Sequence, residues 1–221
     1  MEVHIFEGHP NLAESASHQF LKAGRPADSH YHQLANFNSS DILLHRDLIL
    51  AADRIVLQFP LYWYQAPALV VDWLNQVLAD NFVKRHASQL AGKDFGLVIS
   101  TGQPLSSYQS GGREAYTVSE MLRPYQMLAN RLDFNYLPVF VLAQHSYQSP
   151  ESQQLNLVAY QSHLSLPRQA DFIQRSNWLL DQLPTDLLGE VGDLFMAVCR
   201  DRLNELESMQ FMIKEGDFND R

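Results

Sequence analysis

The sequence predicts an α/β protein built on a doubly wound, five-stranded parallel sheet in the order 2-1-3-4-5, followed by a helical C-terminal extension. Two observations carry this reading. Five β-type runs alternate with helical patterns between residues 3 and 164, as in a parallel sheet covered on both faces. From about Pro167 the pattern becomes helical with no strand, which sets the expected division at 1–166 and 167–221. In the five-stranded order ligands bind beyond the carboxyl ends of the strands, at the switch point between strands 1 and 3.

VHIFEG (3–8) reads as strand 1, and a helix follows from about Ser15 to Ala23. SHYHQL (29–34) is polar enough to lie at an edge as strand 2. A helix from roughly Ser40 to Ala52 runs into RIVLQF (54–59), a strongly apolar strand 3. After an aromatic loop, Leu69, Trp73 and Val77 recur at helical spacing beside a row of Val70, Leu74 and Leu78. They give the helix from Pro67 to about Leu78 one broad apolar face to lay on the sheet. DFGLVIS (94–100) is strand 4, and TVSEMLRPYQMLANRL (117–132) is a helix that Pro124 should kink by removing a backbone donor. YLPVFVLA (136–143) is strand 5, with a helix near 150–164 after it. In the extension, Leu187, Val191, Leu194, Phe195, Val198, Leu203 and Leu206 approximate an apolar helical face, expected to be core or a dimer contact. The last residues, IKEGDFNDR, are polar and expected to fray.

Composition bounds the function. A chain of 221 residues, 46% hydrophobic and 19% charged, has the make-up of a folded protein with a substantial core. A formal net charge of -9 argues against a nucleic-acid partner, which would call for a basic face. The single cysteine, Cys199, leaves no intrachain disulfide or multi-cysteine metal site. No leader pattern opens the chain and no apolar run is long enough to span a bilayer, so a cytoplasmic protein is expected. His30 and His32 alternate on strand 2 and could share a metal, but no further ligand is placed by the sequence to complete a site. No metal is expected.

The unusual residues fall in three loops that the predicted strand order sets along one rim. The loop after strand 1, GHPNLAESAS, has neither G-x-G-x-x-G nor the P-loop pattern. It offers Ser15 and Ser17 at a helix start, where hydroxyls, free amides and the positive end of the helix dipole suit a phosphate; simple capping by Ser15 is the plainer alternative. The loop after strand 3, PLYWYQAP, holds Leu61, Tyr62, Trp63 and Tyr64 between Pro60 and Pro67. Those prolines restrict the backbone at both ends, and the flat side chains could meet a planar heterocycle or form a buried cluster. The loop after strand 4, TGQPLSSYQSGG, places Thr101 and Gly102 at a strand end, then Tyr108 and the pair Gly111-Gly112. Glycine allows close backbone approach to a ligand and a tyrosine hydroxyl can donate to one. No G-x-S-x-G elbow and no Ser, His and Asp set suggests a triad.

GHP followed by SAS, then LQFPLYWYQAPALVVDWLNQVL, LAGK, STG and YQSGGREAYTVSEMLRPYQMLANRLDFNYLPVFV resemble the flavodoxin-like NAD(P)H quinone oxidoreductases. That family includes bacterial modulators of drug activity and the ancillary subunits of glutathione-regulated potassium efflux systems. The resemblance runs from about residue 3 to 165, and MLRPYQ adds to it. It implies a flavodoxin-like fold, FMN or FAD as cofactor, NAD(P)H as co-substrate, a quinone-like acceptor and commonly a homodimer. By position, His9, Ser15, Ala16, Ser17 and His18 would hold the phosphate end of the flavin, and Pro60, Leu61, Tyr62, Trp63 and Tyr64 would contact its ring. Thr101, Gly102, Gln103 and Pro104 would border the ring, and Tyr108 would be the tyrosine near the reacting edge. The implied mechanism is ping-pong hydride transfer. Gln103-Pro104 stands where many relatives have glycines, and Glu114 where some have a histidine. Residues 80–93 lack the glycine-rich form usual in that segment. An alternative reading is a flavin-binding regulatory subunit with a membrane transporter as partner; another is an interaction protein that has lost flavin.

Overall fold

A computed structural model describes residues 1–183 and 189–216, with side chains to Ile213. The chain divides into two compact units, Met1–Ser165 and a second that begins at Leu166. The first is a sheet of parallel strands: β1 (Val3–Glu7), β2 (His30–Gln33), β3 (Arg54–Pro60), β4 (Asp94–Thr101), β5 (Asn135–Tyr136) and β6 (Phe140–Ala143). Its order is β2-β1-β3-β4, with β5 and then β6 along the far side of β4. Every pairing is parallel. β1 and β3 are buried along their whole length, whereas β2 is exposed or half-buried, as its polar sequence and edge position require.

The fifth strand of the sequence reading is two short strands. Pro138 lacks an N–H and interrupts the ladder between Tyr136 and Phe140. The Leu137 N–H still donates to the Phe95 carbonyl (2.9 Å), so the chain stays on course and re-pairs as Phe140 opposite Val98.

Helices cover both faces: α1 (Ala16–Gly24), α2 (Ile42–Ala51), α3 (Ala68–Val77), α4 (Asp80–Arg85), α5 (Ala87–Leu90), α6 (Val118–Met121), α7 (Arg123–Arg131) and α8 (Pro150–Ser165). On one side Phe6, Leu57, Phe59 and Ile99 pack with Trp73 of α3 and Tyr125 of α7. On the other, Ile5, Val56 and Val98 pack with Leu21 of α1 and Tyr160 and Leu164 of α8. The expected kinked helix over 117–132 is instead two helices that meet at Leu122. The break puts Pro124 in the first turn of α7, where its missing N–H costs nothing. Thr117 and Glu120 cap α6 reciprocally, each side chain taking the other's N–H.

The second unit contains α9 (Phe172–Asp181), started by an Asp171–Gln174 capping box, and α10 (Gly189–Gly216). Leu180, Met196 and Leu203 form its core. The apolar face expected here enters that core at Leu203 alone among its described members. Of its members only Leu203 is buried, while Val191, Leu194, Phe195, Val198 and Leu206 are exposed, and Leu187 lies outside the described residues. Met196 and Leu203, two turns apart on α10, form the stripe that meets Leu180 of α9. No described helix is long and apolar enough to cross a membrane.

Candidate functional site

The carboxyl ends of β1, β3, β4 and β6 meet at a cavity of about 580 Å³. Its most unusual wall follows β3. Tyr62 N–H donates to the Gln65 carbonyl (2.9 Å) and Gln65 N–H to the Tyr62 carbonyl (3.0 Å), closing a two-residue hairpin turn. Trp63 (φ 46°) and Tyr64 (φ 65°) are its central residues. Positive φ at both central positions is the demand of a type I′ turn, normally met by Asn-Gly, and a bulky aromatic pays a steric penalty there. The indole of Trp63 is 89% exposed, so the core does not compensate for that strain. Non-glycine residues held in left-handed backbone concentrate at ligand sites.

The β1 wall is held by a buried polar network. Glu7 Oε1 accepts from the His9 N–H (2.9 Å) and from His18 Nδ1 (2.9 Å), while Oε2 accepts from Tyr31 (3.2 Å) and the Gln58 amide. With His18 Nδ1–H donating to Glu7, Nε2 is left to accept from Ser100 Oγ at 2.8 Å. Ser100, His18 and Glu7 thus have the spacing of a hydroxyl–imidazole–carboxylate relay, which the sequence did not reveal because its members come from β4, α1 and β1. Ser100 lies within β4 opposite Pro60 and Leu142 rather than on an exposed elbow. The network therefore fixes the start of α1 against the sheet and orients a hydroxyl on the cavity wall. Burial, with Glu7 beside it, holds Tyr31 protonated far above the usual phenol range.

His9 joins the first two loops. Its Nδ1 accepts from the Asn11 N–H (3.0 Å), so Nε2 carries the proton and faces the Tyr62 hydroxyl at 3.2 Å. Burial, and then the neighbouring His18, lower its pKa and keep it neutral. Ser15 caps α1 by accepting from the His18 N–H (3.3 Å) and also lines the cavity, as does Ser17. At Ser15 the helix cap and a place on the cavity wall coexist. The amides of a first helical turn have no partner within the helix and can face an anion.

Of the residues singled out in the sequence, His9, Ser15, Ser17, Pro60, Leu61, Tyr62, Trp63, Thr101 and Gly102 line this one cavity. Ala16, His18, Tyr64, Gln103, Pro104 and Tyr108 are not among its lining residues. His18 is fully buried in the network described above, and Thr101 Oγ1 donates to the Gln103 carbonyl (2.8 Å). Tyr64 turns away to donate to Glu114 Oε2 (2.7 Å). Tyr108 is buried next to Thr101; burial first, and then the Glu114 charge, raise its pKa and keep it a neutral donor. Ser100 and the run Gln144, His145, Ser146 and Tyr147 complete the wall and were missed in the sequence. Gln144 has left-handed backbone (φ 50°), and its N–H donates to the Thr101 carbonyl (2.8 Å). The available signal was position: AQHSYQ follows the last strand, at the same end of the sheet as the other three loops.

The fold and the rim of loops define a flavodoxin-like α/β protein. Residues 1–164 match the family described as Flavodoxin-like fold, and the chain belongs to it. It is 37% identical over 139 residues to a protein named "Uncharacterized NAD(P)H oxidoreductase YrkL" of Bacillus subtilis (strain 168), covering 60% of this chain and 79% of that one. It is 30% identical over 178 residues to the glutathione-regulated potassium-efflux system ancillary protein KefG of Enterobacter sp. (strain 638), covering 75% and 94% of the two chains. Among solved structures, an NADPH-quinone reductase from P. pentosaceus superposes with a TM-score of 0.71 at 39% identity, over 76% of this chain and 99% of that one.

Proposed function

We propose that this chain is a flavin-dependent NAD(P)H oxidoreductase that reduces quinones or similar acceptors, with FMN as the flavin and FAD as the alternative. The observation that carries the proposal is the strained Trp63-Tyr64 turn, which holds an exposed indole at the cavity whose other wall is the start of α1. The residues present fit a flavin. Ser15, Ser17 and the first-turn amides of α1 offer donors for a phosphate, and the turn offers a flat apolar surface with a constrained backbone for a planar ring. Likeness to an NADPH-quinone reductase and to a protein named an NAD(P)H oxidoreductase supports the same reading.

When bound, the flavin would supply the hydride chemistry, accepting from a nicotinamide and passing reducing equivalents to the acceptor. The protein's part is orientation and electrostatics. Ser15 and Ser17 would hold the phosphate, with Ala16 supplying backbone at the helix start, while His18, whose N–H is taken by the Ser15 cap, fixes Ser100 from behind. Leu61, Tyr62 and Trp63 would bound the ring on one side, and Thr101 and Gly102 on the other, backed by Gln103 and Pro104. His9, neutral and bonded to Tyr62, would keep the two loops in register. Tyr108 retains its proton, and from its place beside Thr101 is the candidate catalytic donor for charge developing at the reduced ring. A cytoplasmic homodimer belongs to the same proposal. A role as ancillary subunit of a potassium-efflux transporter rests on the KefG likeness alone, and no feature of the cavity favours it.

The test is spectroscopic and then kinetic. Purified protein mixed with FMN or FAD is expected to perturb and retain the flavin absorption bands, and the loaded protein to sustain multiple turnovers of NADH or NADPH when a quinone is present. Absence of flavin uptake would overturn the proposal. Uptake without quinone-dependent turnover would move it to the transporter-linked reading.

A further inference from the structure

A second cluster of ligating side chains lies at the other end of the sheet from the cavity. Parallel pairing of β1 with β2 sets His4 directly opposite His30, and their rings stack with centroids 4.6 Å apart. Glu2, two residues before His4, shares its face of the sheet. Its carboxylate Oε1 lies 3.0 Å from His4 Nε2. One ligand atom from each of Glu2, His4 and His30 can be chosen so that all three lie within 4.8 Å of one another. The sequence reading paired His30 with His32 and found no further ligand; the strand register supplies the two that were missing.

We propose that Glu2, His4 and His30 form a binding site for a borderline divalent transition metal, Zn²⁺ foremost, with solvent completing the coordination. Two imidazoles and one carboxylate suit Zn²⁺ and its neighbours Co²⁺ and Ni²⁺, and are poor ligands for Mg²⁺ or Ca²⁺. Zinc–nitrogen and zinc–oxygen bonds of about 2.0–2.1 Å place tetrahedral ligand atoms roughly 3.3–3.4 Å apart. The Glu2–His4 pair is already near that spacing, and His30, exposed at the edge strand, has room to swing inward.

Three features show a prepared site rather than a chance surface cluster. Glu2 is pinned at its backbone: its N–H donates to Asp53 Oδ2 (2.7 Å), and its carbonyl accepts from the N–H groups of Asp53 (2.9 Å) and Arg54 (3.0 Å). His4 is buried, and its second nitrogen, Nδ1, lies 3.1 Å from His32 Nε2. A histidine that ligates through Nε2 needs an acceptor for its Nδ1–H, and His32 is placed to be one. Lys93, the nearby cation, is directed elsewhere: its ammonium donates to the carbonyls of Leu50 (2.8 Å) and Ala52. The bound ion would clasp the edge strand β2, exposed or half-buried along its length, to β1.

The experiment uses untagged full-length protein, stripped with chelator and titrated with Zn²⁺ by calorimetry and with Co²⁺ by visible absorption. One Zn²⁺ per chain is expected, with a rise in melting temperature, and one Co²⁺ with the intense visible bands of a tetrahedral or five-coordinate site. His30→Gln and Glu2→Gln change exposed side chains, so both variants are expected to fold and to bind flavin as the parent does. Each should weaken Zn²⁺ at least about tenfold and abolish the melting shift. Parent protein that binds Zn²⁺ no more tightly than His30→Gln, or shows only the weak spectrum of octahedral Co²⁺, would overturn the proposal. The flavin test is separate, because the cavity lies at the carboxyl end of β1 and this cluster at its amino end.

Discussion

Trp63 and Tyr64 adopt left-handed backbone where a small residue would be at ease, a cost of about 1–2 kcal/mol for a bulky side chain. Because the Trp63 side chain is so exposed, its removal takes little from the core. Trp63→Asn is therefore expected to stabilise the protein by about 1 kcal/mol while weakening flavin binding, read by thermal melting and by flavin titration. A lower melting temperature would mean that the indole packs against something the fold needs. The two prolines and the three aromatics were legible in the sequence as a rigid loop. The left-handed turn was not, since nothing in Trp-Tyr predicts positive φ. His163 is a second residue whose state depends on tertiary contact. Burial, and then the Arg54 charge, push its pKa down to about 4, and its Nε2 has no hydrogen-bond partner among the described residues. Above pH 6.5 it is neutral both folded and unfolded and contributes no pH dependence. Between pH 6.5 and about 4 the unfolded chain takes up the proton and the folded chain does not, so stability falls as pH falls, by on the order of 3 kcal/mol in all. His163→Gln is expected to remove that step from urea titrations run between pH 7 and 4. His32, also pushed down to about 4 by burial and its histidine neighbours, leaves a second step in place.

At the level of elements, the carboxyl end of β1 approaches α3 closely enough that residue 8 has no room for a side chain. A methyl group on Gly8 would lie 2.2 Å from Val70 Cγ2 and 3.5 Å from Phe59 Cβ. Val70 is fully buried on the face that α3 lays on the sheet, so it cannot turn aside. Gly8→Ala is expected to cost about 1–3 kcal/mol by overpacking. Val70→Ala in the same chain should relieve much of that cost, so the double variant would be more stable than the two single losses combined predict. Simple additivity in urea denaturation would show that the two sites do not touch. The sequence marked both elements, because an apolar run and a 3.6-residue pattern are local properties. It showed Gly8 only as the end of a strand, since the contact depends on where a helix some sixty residues later comes to lie. The two breaks have the same origin. Pro124 and Pro138 were visible, but whether each kinks an element or starts a new one is decided by how the flanking backbone is paired.

At the scale of the whole molecule, strand count and alternation were enough to place β1, β3 and β4 side by side and their loops on one rim, because few windings of a parallel sheet obey right-handed crossovers. What stayed hidden depends on register between distant segments. Ser100 meets His18 across 82 residues, and His4 meets His30 only once β1 and β2 are aligned. Arg54 is the largest such case. It is fully buried; Nε and Nη2 donate to Asp94 Oδ2 (3.2 and 2.8 Å), and Nη1 to the carbonyls of His163 (2.7 Å) and Leu164 (2.8 Å). One guanidinium thus joins β3, β4 and the last turn of α8, whose carbonyls lack partners within the helix and favour a cation. Arg54→Met would leave Asp94 and both carbonyls without their donor, and is expected to cost about 3–5 kcal/mol in urea denaturation. Arg54→Lys keeps the charge without the planar fork and should recover only part of that. The same charge helps hold the His163 pKa down, so Arg54→Met should also shrink the acid step between pH 6.5 and 4, while Arg54→Lys keeps it. A Met variant as stable as the parent, with its acid step intact, would show that the clamp is not what ties the helix to the sheet.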